Sequence, residues 1–133
     1  MNARSLTAVG ADVGLRGIAT MVVGDADTSI AMGSGEVAVL ATPRIVALCE
    51  EATCAALVGR LGPGMTSVGM RVQLDHLHPT AVGQAVEAEA ILDKIEGRRL
   101  VFTVSASDAK GLVAAGKVTR VVVDIDKFLS KTE

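Results

Sequence analysis

Two adjacent carboxylates, Glu50 and Glu51, interrupt an otherwise apolar stretch, ATPRIVALCEEATCAALVGRLGPG, residues 41–64. At helical spacing Glu50 has Val46, Ala47, Thr53, Cys54 and Leu57 as neighbours, and no cation within one turn on its own face. An ionised carboxylate is costly to bury without a partner. Glu50 is therefore either a structural group bonded to a backbone amide or a buried partner, or a carboxylate kept in a cleft for acid, base or nucleophilic work. Glu51 lies about 100° further round the helix, on an edge shared with Arg44, and reads as a solvated residue.

His76 adds an imidazole to this chemistry. Period-two spacing puts Val68, Met70, Val72, Leu74 and His76 on one strand face, and Ser67, Gly69, Arg71, Gln73 and Asp75 on the other. His76 thus looks toward the helix from the end of its strand, just before His78-Pro79, where an opening is expected. A satisfied core histidine is the plainer alternative. His78, restrained by the proline after it, reads as structural. Thr42 stands before Pro43 at the start of the helix. Its hydroxyl either caps that end or serves, with the free amides there, a developing oxyanion. Gly69 in MTSVGMRV marks either a bulge or packing position, or a backbone amide that a substrate can approach closely.

Eight residues separate Thr42 from Glu50, roughly 12 Å along a helix axis, too far for a direct hydrogen bond. If both serve one site, either the substrate spans the gap or two antiparallel helices bring Thr42 of one subunit near Glu50 of another.

The elements that must hold these groups follow from period and punctuation. Residues 1–14 read as a loose arm, and GIATMVV (17–23) as a strand closed by the turn-prone GDAD. Residues 28–41 read as a loop or lid carrying a short helical turn. The helix opens at Thr42-Pro43 and stops at Leu61-Gly62-Pro63-Gly64. After the strand ending at His76, two more are expected at about 85–95 and 98–107, joined by a tight turn at Glu96-Gly97. A last strand, about 112–125, precedes the polar tail KFLSKTE. One apolar helix followed by an antiparallel meander is an α+β pattern, a curved sheet of about five strands wrapped round a central helix. This is the layout of the hot-dog fold. A helix without a broad polar face needs cover on most sides, so a dimer with a continuous sheet is expected.

At 133 residues the chain is expected to form a single domain. It has no Trp or Tyr, and Phe only at 102 and 128, so its core must be aliphatic. A net charge of −2 with both signs interspersed argues against nucleic-acid binding. Cys49 and Cys54 stand roughly 140° apart around the helix, which argues against a disulfide, and neither a disulfide framework nor a zinc site is expected. No run reaches membrane length and the N-terminus lacks a signal-like apolar segment, so a cytoplasmic protein is expected.

Five segments taken in order and spacing resemble the fluoroacetyl-CoA thioesterase-like branch of the hot-dog thioesterases. They are GSGEVAVLATP, ALCEEA, TSVGMRVQLDHLHPTAVG, EGRRLVFTVSASD and VVVDIDKF, covering about residues 33–128. The resemblance implies that Thr42, Glu50 and His76 are catalytic and that the Gly69 amide faces the thioester carbonyl. It implies cleavage of an acyl-CoA by water, with the carboxylate as base or transient nucleophile and the threonine and histidine orienting or polarising the reacting groups. No metal or cofactor is implied, since CoA enters with the substrate. Basic residues at a dimer surface, with Arg120 as the candidate, would hold the CoA phosphates. The homodimer implied leaves open whether dimers pair into tetramers. Two departures stand out. The aromatic lid of the fluoroacetate-specific enzyme is matched here by SIAMGSGEVAVLA, which has no aromatic residue, so another short acyl-CoA is expected. The Gly-x-His-x-Arg pattern of the branch reads Gly116-Lys117-Val118-Thr119-Arg120, without the histidine. The competing readings are a hot-dog enoyl-CoA hydratase or dehydratase, and a non-catalytic acyl-CoA-binding dimer.

Overall fold

The computed structural model describes residues 11–133. The arm expected over residues 1–14 lies outside them up to residue 10. From there the chain is not loose: Ala11 is buried in the core and the Gly14 N–H donates to Leu92 O at 2.7 Å.

In chain order the elements are β1 (Arg16–Val22), a 3-10 turn (Asp25–Asp27), α1 (Ser29–Met32) and α2 (Thr42–Ala56). There follow β2 (Met65–His76), β3 (Ala85–Glu96), β4 (Arg99–Asp108), β5 (Gly111–Asp124) and α3 (Ile125–Ser130). The strands form one antiparallel sheet in the order β1-β3-β4-β5-β2, curled about α2. The α+β expectation of one long helix against about five antiparallel strands is borne out. No helix among the described residues is long and apolar enough to cross a membrane.

Alternation along the strands builds the core. Val86, Ala88, Ala90 and Leu92 of β3 and Leu100, Phe102, Val104 and Ala106 of β4 are buried, while the residues between them point outward or are half-covered. They meet Ile45, Leu48, Cys49, Ala52 and Ala56, the inner stripe of α2. Each fully buried Leu or Ile contributes about 1.5–3 kcal/mol. Small residues set the spacing. A Cβ on Gly17 would fall 2.1 Å from the Ala52 carbonyl oxygen, so only glycine lets β1 lie directly on the helix backbone. The opposite stripe of α2 is not covered within the chain: Ala47 and Glu50 are half-buried, and Glu51, Cys54 and Ala55 are exposed.

Three boundaries differ from expectation. The N-cap of α2 is Ala41, with no side-chain cap, and Thr42 is the first helical residue with its hydroxyl engaged elsewhere. The helix ends at Ala56, because Leu57 and Arg60 close i→i−3 bonds to Cys54 and Leu57 and Gly59 turns left-handed at φ +70°. The expected polar tail folds into α3, capped by Asp124 Oδ1 accepting from Lys127 N at 3.0 Å.

The most consequential difference is a bulge in β2. The register to β5 runs Gly69↔Arg120 and then Arg71↔Thr119, leaving Met70 over. An extra residue reverses the side-chain parity. Met65, Ser67 and Gly69 therefore face inward before the bulge, and Val72, Leu74 and His76 after it, while Met70 is exposed. The expected outward placement of Ser67 and Gly69 is corrected by this shift.

Candidate active site

The first cluster joins the start of α2 to the end of β2. Thr42 Oγ1 and His76 Nδ1 lie 2.8 Å apart. Burial pushes the His76 imidazole below its ordinary 6.5, opposed by a hydrogen bond with the His78 backbone, so the ring is neutral near pH 7. A neutral ring has one donor and one acceptor nitrogen, and the threonine hydroxyl, able to donate or accept, holds the ring's orientation through Nδ1. Nε2 is buried and meets no hydrogen-bond partner among the described residues. His78 turns away, with its Nδ1 2.8 Å from Pro79 O.

Thr42 and His76 open onto a cleft of about 230 Å³ walled by Ser29, Val39, Leu40, Leu77, His78 and Pro79. Its lid is the segment after β1. Thr28 caps α1 by accepting from Ala31 N, Gly33 ends it at φ +68°, and Leu40 N donates to Thr80 O at 2.9 Å. Arg44 of α2 fastens the lid's base through Asp27 at 3.2 Å and also reaches Glu51 at 3.7 Å. The shared edge of Arg44 and Glu51 is as the helical spacing required.

The second cluster lies two turns along α2. Arg120 Nη1 is 3.3 Å from Glu50 Oε2, its Nε donates to Ser67 Oγ at 2.8 Å, and its Nη2 donates to Ser67 O at 3.0 Å. The Arg120 side chain is 8% exposed and the Glu50 side chain 35% exposed. The glutamate thus has a buried cation on one side and access to the outside on the other. Gly69 completes the seat. A Cβ there would come within 2.4 Å of Glu50 Oε2, so the carboxylate rests against bare strand backbone.

One chain therefore pairs Thr42 with His76 and pairs Glu50 with Gly69 and Arg120, the two groups separated by the eight-residue span along α2. Arg120 is corrected: it is buried with its nitrogens engaged, and does not offer a surface cation for phosphates. Sequence reasoning gave Glu50 no partner and missed Ser67. A signal existed, since Arg120 shares its strand face with Val118 and Val122, both fully buried. Cys49, one residue before Glu50, is no rival nucleophile, because burial pushes its thiol up to about 11.

The family model described as fluoroacetyl-CoA-specific thioesterase (FlK) matches residues 23–126, most of the chain. The chain belongs to this family. A curated relative, the fluoroacetyl-CoA thioesterase of Streptantibioticus cattleyicolor, is 37% identical over 93 residues, 70% of this chain and 67% of the relative. A solved structure of the fluoroacetyl-CoA thioesterase FlK superposes with a TM-score of 0.87 at 32% identity, covering 92% of this chain and 96% of that one. A hot-dog-like protein from Thermanaerovibrio acidaminovorans gives 0.85 at 26% identity, covering 99% and 95%. Membership makes the chain an enzyme of the thioesterase class with the hot-dog fold.

Proposed function

We propose that this thioesterase hydrolyses a small acyl-CoA to the free acid and CoA, with Thr42, Glu50 and His76 as its catalytic residues and the Gly69 amide supporting the carbonyl oxygen. The observation that carries this reading is Glu50: one oxygen rests on a buried guanidinium while the side chain keeps an opening outward. A purely structural ion pair has no need of that opening.

Hydrolysis forms a C–O bond and breaks the C–S bond, and the sulfur leaves as thiol once protonated. The Glu50 carboxylate either takes the proton of the attacking water or attacks the carbonyl itself, giving an anhydride that water opens. His76, neutral and set by Thr42, orients or polarises the reacting groups. The chemistry calls on no metal and no cofactor beyond the CoA of the substrate.

The working unit is a homodimer in the cytoplasm. The uncovered stripe of α2 and the edge strands β1 and β2 are the surfaces available for pairing. Antiparallel apposition of two α2 helices brings the Thr42–His76 pair of one copy toward Glu50 of the other, which answers the roughly 12 Å offset along one helix. The acyl group is small and not restricted to fluoroacetyl, because no residue from 29 to 41 is aromatic and the cleft walls are aliphatic and polar.

The deciding experiment is a thiol-release screen over short, branched, aromatic and fluorinated acyl-CoAs, with an enoyl-CoA included. Thiol release from saturated and unsaturated esters alike is expected. Hydration of the enoyl-CoA without thiol release, or binding of the esters without turnover, would replace the proposal by a hydratase or a binder. A strong preference for fluoroacetyl-CoA would overturn the selectivity.

A further inference from the structure

Ser67 receives two of the three nitrogens of Arg120, one on its hydroxyl and one on its carbonyl, and the third nitrogen is the one on Glu50. A guanidinium is a planar fork, so engaging Nε and Nη2 on one residue leaves no freedom in where Nη1 points. The bulge at Met70 brings this about by turning Ser67 and Gly69 inward together, directly opposite the strand that carries Arg120. Glu50 Oε2 is then confined between Nη1 and the bare backbone of Gly69. Its other oxygen has no hydrogen-bond partner among the described residues, on a side chain that is 35% exposed.

We propose that Ser67 is a positioning residue: through Arg120 it aims the Glu50 carboxylate, holding one oxygen so that the other faces the substrate. The inference rests on the catalytic reading of Glu50 and adds what sets its geometry. A site gains rate when the groups behind its reacting atoms are locked in place, and a serine on a strand with two oxygens on one fork is such a lock.

The test is a cycle of Ser67→Ala and Glu50→Gln, read as kcat and KM for the acyl-CoA turned over best by the parent, with melting temperatures alongside. Ser67→Ala is expected to lower kcat about tenfold, the scale of one hydrogen bond to a charged group, with KM changed less than about threefold. Ser67→Thr, which keeps the hydroxyl on a strand residue, restores most of the loss. In the Glu50→Gln background Ser67→Ala has no further effect, because its influence passes through the carboxylate. Parent-like kcat in Ser67→Ala, or an equal loss in both backgrounds, overturns the proposal. Should Ser67→Ala fail to fold, Arg120→Lys reads the same arrangement. One ammonium lacks the fork that grips Ser67 and Glu50 together, so a tenfold fall in kcat supports the proposal and parent-like turnover overturns it. A Glu50→Gln enzyme of full activity defeats the catalytic reading itself, and is distinguishable from all of these.

Discussion

Thr42 Oγ1 lies 2.8 Å from His76 Nδ1, joining the first residue of α2 to the last residue of β2. No side chain caps the helix start, and a threonine well suited to capping is committed to a histidine instead. On the proposed catalytic role of Thr42, activity and helix stability are separable at this position.

Thr42→Val should lower turnover about tenfold by removing the hydrogen bond that orients the imidazole, while Thr42→Ser keeps most of it. The melting temperature of Thr42→Val should stay within about 2 °C of the parent, since about 1 kcal/mol is worth about 4 °C in a chain of this size. A fall of twice that would show that the hydroxyl supports the helix after all.

Glu50→Ala should reduce thiol release by at least about 100-fold, the scale of a lost acid–base group. Glu50→Gln should be as inactive but more stable, because it leaves the buried Arg120 guanidinium an acceptor. Mixing and refolding Glu50→Ala with Thr42→Ala chains should recover activity, as one of the two sites in a mixed dimer then has both groups intact. Failure to recover any activity would refute the site shared between subunits.

Three glycines should divide by what their absent side chains would meet. Gly17→Ala and Gly116→Ala drive a Cβ into backbone, at 2.1 Å from Ala52 O and 1.9 Å from Gln73 O, and should destabilise by about 3 kcal/mol or more. Gly69→Ala meets the end of a half-exposed side chain, so the fold should survive. Its cost should fall on kcat, about tenfold, because the Glu50 carboxylate must back away. Denaturant midpoints and turnover measured on all three variants check the division.

His76 binds its proton less readily in the folded chain than in the unfolded one, since burial holds it below 6.5. As pH falls through 6.5 the unfolded state protonates first, so stability complete above that value is lost until the lower folded value is reached. The melting temperature of the parent should therefore drop more steeply between about pH 7 and pH 5.5 than that of His76→Gln. Parallel slopes for the two proteins would show that burial of this ring does not govern the acid side.

Much of the fold was legible because it depends on periodicities that survive in one dimension. The alternation of Leu100, Phe102, Val104 and Ala106 declares a half-buried strand, and the run from Ile45 to Ala56 declares a helix that needs cover. Gly97, at φ +62°, marks its hairpin because glycine adopts that conformation without steric penalty. The end of α2 was harder to place. Leu57 and Val58 continue the apolar composition, and only the local turn bonds and the left-handed Gly59 stop the helix before Gly62-Pro63.

Residue types and order alone determined that a carboxylate, an imidazole and a hydroxyl stood in an aliphatic α+β chain, at spacings forbidding direct contact along the helix between Thr42 and Glu50. The tertiary structure decided the partnerships. A one-residue bulge carries no periodic signature, yet it turned Ser67 and Gly69 inward. The pairing of β2 with β5 then brought Arg120 to Glu50, two residues 70 positions apart in the chain. Side-chain direction in a strand depends on register, and register is set by neighbouring strands and not by the strand's own composition.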